Sequence, residues 1–240
     1  MQSNKDIKNY SYGFGKRWYW FARPFDVPNL WMVNFFDYHK YDVAGFKRRE
    51  GLTTVIDLTQ DLDVIWNKMR HKFIRKQIER GERHGIVIKQ DNNFAEFKKI
   101  YKNFREKKYL AKEKIDKLKN HSVLFSAYYQ DKMIAGGIFV SDNKYARALV
   151  LASTHNGSNS QMREIIGQAN RLLIWEAIKY FKNKNLELFD LGGISPDSQN
   201  PSLRNLAEFK EAFGGTRQSC YYYHKVYSRL LRLWIKIRKY

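Results

Sequence analysis

Cysteine is almost absent from the sequence, and long apolar runs are missing altogether. Cys220 is the only cysteine among 240 residues, which excludes an intrachain disulfide and a cysteine-rich zinc site and favours a reducing compartment. No apolar run approaches the roughly 18 residues of a membrane span. The first residues, MQSNKDIKNYSYG, lack the apolar core of a signal peptide. We therefore expect a cytoplasmic protein, with a peripheral place at the inner face of the membrane left open.

Acidic residues are few beside the basic ones. Asp and Glu number 24 against 44 Lys and Arg, which gives a formal net charge of +20. Such an excess favours an anionic partner, either nucleic acid, acidic lipid headgroups or a phosphorylated substrate, and a lysine-rich genome composition can contribute to it. With 43% hydrophobic and 16% aromatic residues, the chain has the composition of a folded globular protein.

Hydrophobic periodicity predicts an α+β domain over residues 51–227, preceded by an aromatic-rich arm over residues 1–50 with a short strand near Leu30 to Phe36. The predicted helices span Leu62–Gly85, Phe94–Lys107, Lys112–Asn120, Ser158–Phe181 and Leu203–Phe213. The predicted strands span Thr53–Leu58, Ile86–Ile88, His121–Tyr129, Met133–Val140, Ala146–Ser153, Leu186–Leu191 and Ser219–Val226. This order places helices around a mixed, mostly antiparallel central sheet.

The C-terminal residues 228–240 are predicted to form a basic amphipathic helix. Its apolar face holds Leu230, Leu233, Trp234 and Ile237, and Val226, just before the segment, continues that face. A basic helix of this kind that carries tryptophan suits an anionic membrane surface. Packing against the domain is the alternative.

Several polar residues are candidates for a site. Gly192 and Gly193 follow a strand, where the missing side chains permit a left-handed backbone or a close ligand, or form a plain turn. Asp190 at the end of that strand can orient an amine or serve as a turn partner. The predicted strands His121–Tyr129, Met133–Val140 and Ala146–Ser153 form an antiparallel meander. His155, after the third of them, can act as a general base or be polar surface. Arrangements typical of serine hydrolases and metalloenzymes are missing, so neither a bound metal nor a tightly bound cofactor is expected.

Two groups of cations add to these candidates. Lys210 lies at the edge of the apolar stripe formed by Leu206, Phe209 and Phe213, where a cation can meet a phosphate or steady an oxyanion, or can simply be solvated. The basic residues of the first long helix form a face that can clamp a pyrophosphate or a nucleic-acid backbone, or be solvated and partly balanced by nearby glutamates. These residues are Lys72, Arg75, Lys76 and Arg80.

Two segments resemble the Fem-type branch of the GNAT acyltransferase superfamily, whose members extend peptidoglycan bridge peptides. The first is TVIDLTQDLDVIWNKMRHKFIRKQIERGERHGIVI, residues 54–88. The second is LFDLGGISPDSQNPSLRNLAEFKEAFGG, residues 188–215, with its Asp-Leu-Gly-Gly and Phe-Lys-x-x-Phe-Gly-Gly elements. Together with the meander between them, the resemblance covers residues 53–227, and the predicted element order is also that of the GNAT fold.

The resemblance implies an acyltransferase that moves an aminoacyl group from aminoacyl-tRNA to an amine of a peptidoglycan precursor. It implies an active-site role for Lys210, a ligand role for Arg75 with Lys72 and Lys76 beside it, and a place for Phe209 at the substrate. Fem enzymes usually carry two GNAT-like units and a helical arm, whereas this chain has room for one. That difference leaves open a non-catalytic nucleic-acid-binding or membrane-binding protein.

An acyl-CoA donor is the alternative to aminoacyl-tRNA. CoA-dependent GNAT enzymes turn the backbone amides of a Gln/Arg-x-x-Gly-x-Gly/Ala loop toward the pyrophosphate. The matching segment here departs from that spacing, because Arg163 and Gly167 are one residue too far apart. Donor contacts are still expected at the start of the long helix, from Ser158, Ser160, Gln161 and Arg163.

Overall fold

The fold is taken from a computed structural model that describes residues 9–11, 15–108, 113–154 and 159–228. The chain divides into two compact units. Residues 54–217 form one, here called the central unit, and residues 1–53 with 218–240 form the other, the terminal unit. The predicted division at residues 50 and 227 stays a prediction, and the C-terminal helix proper, residues 229–240, lies outside the described residues.

Regular elements account for most of the described chain. The strands are β1 Asn9–Ser11, β2 Lys16–Trp20, β3 Met32–Asp37, β4 Lys47–Asp57, β5 Val87–Asp91, β6 Val123–Tyr129, β7 Lys132–Ser141, β8 Tyr145–Ser153, β9 Leu188–Ile194 and β10 Thr216–Val226. The α-helices are α1 Leu62–Lys68, α2 Lys76–Arg83, α3 Phe94–Lys108, α4 Ile115–Leu118, α5 Ser160–Asn183 and α6 Pro201–Glu211. Within the described ranges, no helix is both long enough and apolar enough to cross a membrane.

In the central unit the strand order is β4-β9-β8-β7-β6-β5. The strands β6 to β8 pair antiparallel, as predicted for the meander, and β5 also pairs antiparallel with β6. β8 pairs parallel with β9. A parallel pair needs a crossover connection, and α5 supplies it between β8 and β9. The predicted mixed, mostly antiparallel sheet flanked by helices is therefore confirmed.

Helices cover both faces of this sheet. Ala135 of β7 belongs to the main core together with Phe181 of α5. A side-chain carbon on the next residue, Gly136, would lie 2.4 Å from the Phe97 ring of α3. Because successive strand residues point to opposite faces, α5 and α3 lie on opposite sides of the sheet. Gly136 thus allows α3 to pack closely on the strand.

The terminal unit has its own small aromatic core. Its strand order is β1-β2-β3-β10-β4, in which β2 and β3 are parallel and β3 and β10 antiparallel. Tyr19, Phe35 and Tyr223 are buried on one face and pack with the partly buried Phe25. The sequence predicted only one short strand in this arm, so β1 and β2 are additions.

The predicted helix Leu62–Gly85 is not continuous. It ends at Lys68, Met69 and Arg70 are extended with ψ of 139° and 117°, and a π-helical turn follows over His71–Arg75 before α2. The Arg70 N–H donates to the Ala212 carbonyl at 2.9 Å, so a contact with the end of α6 replaces the helical hydrogen bond at this point. The run contains no proline and no glycine before Gly81, and periodicity alone therefore predicted an unbroken helix.

Candidate active site

The site lies where β8 and β9 separate. In the described chain their pairing joins Tyr145–Arg147 to Leu188–Asp190, and each strand continues beyond it, β8 to Ser153 and β9 to Ile194. Backbone groups beyond the end of such a pair are not bonded to the partner strand, and strand ends of this kind are a common place for a ligand in a sheet protein.

A buried ion pair joins the last two paired residues of β8 and β9. Arg147 Nη1 donates to Asp190 Oδ2, and the two side chains are 6% and 0% exposed. Asp190 Oδ1 accepts a second bond from the Gly192 N–H at 2.6 Å. Both carboxylate oxygens are thus used within the chain, which suits Asp190 to positioning its neighbours.

Gly192 lies inside β9, two residues beyond Asp190, so Gly192 and Gly193 do not follow the strand as predicted but belong to it. The φ of Gly192 is +88°, a conformation that favours glycine. A side-chain carbon there would lie 3.2 Å from Lys210 Nζ and 3.3 Å from the Ala148 carbonyl oxygen. The absent side chain therefore lets the lysine ammonium and the β8 backbone approach the same point, as expected for a close approach at this glycine pair.

Lys210 is buried, so it is neither at the edge of the apolar stripe, as predicted, nor solvated, which was the alternative. It is 8% exposed, whereas Leu206 of that stripe is 43% exposed. Along α6 the buried residues are Ala207 and Lys210, so the helix turns its lysine, not Leu206, toward β9. The ammonium donates to the carbonyl of the exposed Gly193 at 2.9 Å. A long side chain can bury its methylenes in this way while its charge reaches a polar partner.

The surroundings of Lys210 lower the pKa of its ammonium group. Burial, and then the positive charge of Arg147, lower the pKa of Lys210 from 10.5 to about 8, while the negative charge of Asp190 acts in the opposite sense. At neutral pH the group is still mostly protonated. Two cations and one carboxylate then share a site of low polarity, and the surplus positive charge favours an anion at its open end.

The predicted basic face is divided between two elements. Lys72 and Arg75 belong to the π-helical turn and Lys76 begins α2; both lysines are exposed. Arg75 is partly buried, with Nη1 donating to Asn67 Oδ1 at 3.1 Å and a buried Nε that has no hydrogen-bond partner in the described chain. Arg80, counted with them in the sequence, instead pairs with Glu164 at 3.2 Å.

Arg171 of α5 connects this basic turn to α6. Its guanidinium lies over the Phe73 ring at 4.8 Å and over the Phe209 ring at 5.2 Å, and it donates to the Phe73 and Gly167 carbonyls at 2.7 and 2.8 Å. Burial lowers its pKa. Phe209, predicted to contact substrate, is thus part of the packing between the two cation groups.

The donor segment is only partly described. His155 and Ser158 lie outside the described residues, so their predicted roles are not addressed. Ser160 begins α5, and Gln161 and Arg163 are exposed in its first turn. The helix is capped by Asn159, whose side chain accepts from the Met162 N–H at 3.1 Å. Donor binding at this turn stays a prediction.

Sequence reasoning missed Arg147 and Arg171. Arg147 had a signal, because it is the single charged residue in the otherwise apolar strand YARALVLAS, and a buried charge in a strand calls for a partner. Arg171 had none, since an arginine in a long amphipathic helix is ordinary.

Comparison with known proteins gives matches in structure but not in sequence: no protein-family model and no curated protein matches the chain. FemX aligns with a TM-score of 0.64 and 11% identity over 94% of this chain and 84% of its own. The C-terminal domain (DUF2156) of a protein described as a lysylphosphatidylglycerol synthetase from Agrobacterium fabrum gives 0.58 and 13%, over 90% and 79%.

L-PGS from Bacillus licheniformis has a TM-score of 0.55 and 14% identity, over 87% of this chain and 72% of its own. Identities at this level establish the fold and not the activity. The predicted GNAT-type α+β fold, with its mixed sheet between helices, is therefore the fold of this chain.

Proposed function

We propose that this protein transfers an aminoacyl or other acyl group onto an amine of a cell-envelope precursor. The observation that carries the proposal is the buried Lys210 ammonium at the point where β8 and β9 separate, held beside the open Gly193 backbone. The likeness in fold to FemX and to a lysylphosphatidylglycerol synthetase domain supports the same class of reaction.

The chemistry follows from placing a cation where negative charge develops. The acceptor amine attacks the carbonyl carbon of an activated ester, and the carbonyl oxygen becomes an oxyanion. Lys210 donates one N–H to the Gly193 carbonyl. The ammonium has further N–H groups, which can donate to the oxyanion. The intermediate then re-forms the C=O bond and breaks the ester C–O bond, and the amine proton passes to the departing hydroxyl. The product is an amide, and no covalent bond to the protein forms.

Asp190 and Arg147 act through Lys210 rather than on the substrate. The carboxylate holds Arg147 and the Gly192 N–H together, and this fixes the part of β9 against which the ammonium rests. Such preorganisation is worth most in a site that excludes water, because the donors need no rearrangement during the reaction.

The donor is proposed to be aminoacyl-tRNA, bound through Lys72, Arg75 and Lys76. The exposed Lys72 and Lys76, with the partly buried Arg75 between them in sequence, suit a long phosphate backbone. Charged tRNA should bind more tightly than acetyl-CoA at low salt. The double variant Arg75→Gln with Lys76→Gln should flatten the salt dependence by about two phosphate contacts. The control Lys89→Gln with Lys132→Gln removes the same charge from exposed sites elsewhere and should leave the slope unchanged.

Transfer itself can be tested with two donors and two acceptors. Labelled aminoacyl-tRNA and acetyl-CoA are each offered with a peptidoglycan precursor peptide that has a free lysine amine, and with phosphatidylglycerol vesicles, whose acceptor is a hydroxyl. Transfer to the vesicles alone would overturn the amine acceptor. Lys210→Met should reduce the rate on the order of a hundredfold, since one oxyanion contact is lost. In the wild type the contribution of the ammonium should fall as pH rises through about 8. In Lys210→Arg, which stays charged, that fall should be absent.

The possible outcomes separate the alternatives. Turnover with acetyl-CoA that tRNA does not inhibit would replace aminoacyl-tRNA by acyl-CoA as the donor. Absence of transfer from both donors to both acceptors, or normal turnover of Lys210→Met, would reject the transferase proposal.

A further inference from the structure

Three exposed apolar side chains lie on neighbouring elements of the central unit. Phe73 is 40% exposed, Leu203 41% and Leu206 43%. They make up half of the six large apolar residues that are exposed in the described chain, and the other three are Trp31, Val64 and Val87. Single exposed apolar residues are ordinary, whereas a cluster marks a contact surface.

Phe209 and Arg171 link the three residues, Phe73, Leu203 and Leu206, into one surface, here called the apolar ridge. Phe73 and Phe209 share the Arg171 guanidinium. Leu206 lies three residues before Phe209 and Leu203 three before Leu206, so each is a neighbour of the next on the surface of α6. The ion pair of Arg70 with Glu208 at 2.8 Å ties the two elements together beside them.

The ridge is held outward by regular structure. The Phe73 carbonyl is fixed by Arg171 at 2.7 Å. The first turn of α6, which carries Leu203, is capped by Asn200, whose side chain accepts from the Ser202 N–H at 2.9 Å, and Pro201 begins the helix. A proline at this position is preorganised for a helix. These apolar side chains are therefore displayed on rigid elements and do not belong to a loose loop.

The charges around the ridge are predominantly positive. Lys72 and Lys76 are exposed on either side of Phe73 in sequence, and Arg204 follows Leu203. The carboxylates of α6 are already paired, Glu208 with Arg70 and Glu211 with Arg217. Apolar side chains that project between cations suit the surface of an anionic bilayer. The apolar side chains enter the boundary between headgroups and acyl chains, and the cations contact the lipid phosphates.

We propose that the apolar ridge docks the central unit on an anionic lipid bilayer. Lys210 is four residues beyond Leu206 on α6, a rise of about 6 Å along the helix. Docking would therefore bring the site close to the headgroup layer, where a lipid-linked or lipid acceptor presents its reactive group. The contact does not depend on the transfer reaction, and it can be measured without it.

Vesicle flotation of the full chain tests the contact. Binding should be strong on equimolar phosphatidylcholine and phosphatidylglycerol, weak on phosphatidylcholine alone, and reduced by salt. Leu203→Gln with Leu206→Gln keeps good helix formers in α6 and should lower the partition coefficient about tenfold or more, since two buried apolar side chains are lost. Val64→Gln with Val87→Gln, equally exposed elsewhere, should not change it.

A second measurement does not depend on those variants. An environment-sensitive dye on Leu206→Cys should shift to shorter wavelength on anionic vesicles, while the same dye on Val87→Cys should not; the native Cys220 is buried. A bound protein without that shift would overturn the proposal. The proposal would also be overturned if Leu230→Gln with Leu233→Gln abolished vesicle binding and the Leu203 and Leu206 variant did not. The contact would then lie in the C-terminal segment. If the Leu203 and Leu206 variant kept vesicle binding but lost tRNA binding, the ridge would be a nucleic-acid surface instead.

Discussion

Replacing Lys210 with methionine measures how much the buried ammonium lowers the free energy of unfolding. A lowered pKa means that the fold disfavours the ammonium form. The penalty is therefore complete below the folded pKa of about 8 and disappears as pH rises past the unfolded value of 10.5. It amounts to about 3 kcal/mol, because each pH unit between the two values is worth about 1.4 kcal/mol.

Methionine has a similar length and no charge, and Gly193, which loses a hydrogen bond, is exposed and can bond to water. Lys210→Met should therefore be more stable than the wild type at neutral pH. Its advantage in free energy of unfolding should shrink by about 2 kcal/mol between pH 7 and pH 9.5. The assay is urea unfolding at both pH values, and Lys72→Met, at an exposed lysine, serves as the control.

An advantage that is constant with pH would refute the argument, since it would mean that Lys210 titrates in the fold as it does in the unfolded chain. A variant that is less stable than the wild type at pH 7, with a difference that still changes by about 2 kcal/mol between the two pH values, would show instead that methionine loses contacts worth more than the removed penalty.

Two further predictions concern the groups around the lysine. Asp190→Asn leaves the buried Arg147 without its counter-ion and should lower the free energy of unfolding by about 3–5 kcal/mol, whereas Asp197→Asn, at an exposed position, should have little effect in the same urea titration. Gly192→Ala and Gly85→Ala both place a side chain at positive φ and should each lose about 1 kcal/mol. Only Gly192→Ala should also slow transfer, because a side-chain carbon at Gly85 meets nothing within 4 Å.

Elements with a local signal were predicted well. The meander β6 to β8 follows from β-branched and apolar runs between short polar turns, and the structure places these strands within two residues of their predicted bounds. The long helix α5 and the helix α6 follow from apolar spacing. The predicted start of α5 at Ser158 was close, but its cap is Asn159, a residue that the serine-based reading passed over.

Features that depend on distant residues were not predictable in this way. Arg147 and Asp190 are 43 residues apart, and nothing in either local pattern pairs them. The break at Met69 and Arg70 depends on a carbonyl at Ala212. Lys210 was misplaced because a stripe of apolar residues predicts a buried Leu206, while the packing of α6 on β9 selects the long lysine for the interior.

The turn at Gly214 has a consequence for how the protein is made. Its φ is +79°, and a side-chain carbon there would lie 2.7 Å from the Lys68 backbone, so the Phe-Gly-Gly turn after α6 rests directly on the end of α1. During synthesis the end of α1 can make this contact only after Gly214, almost 150 residues later in the sequence, has left the ribosome. Contacts of such long range form slowly. The candidate site is therefore among the last parts of the central unit to assemble.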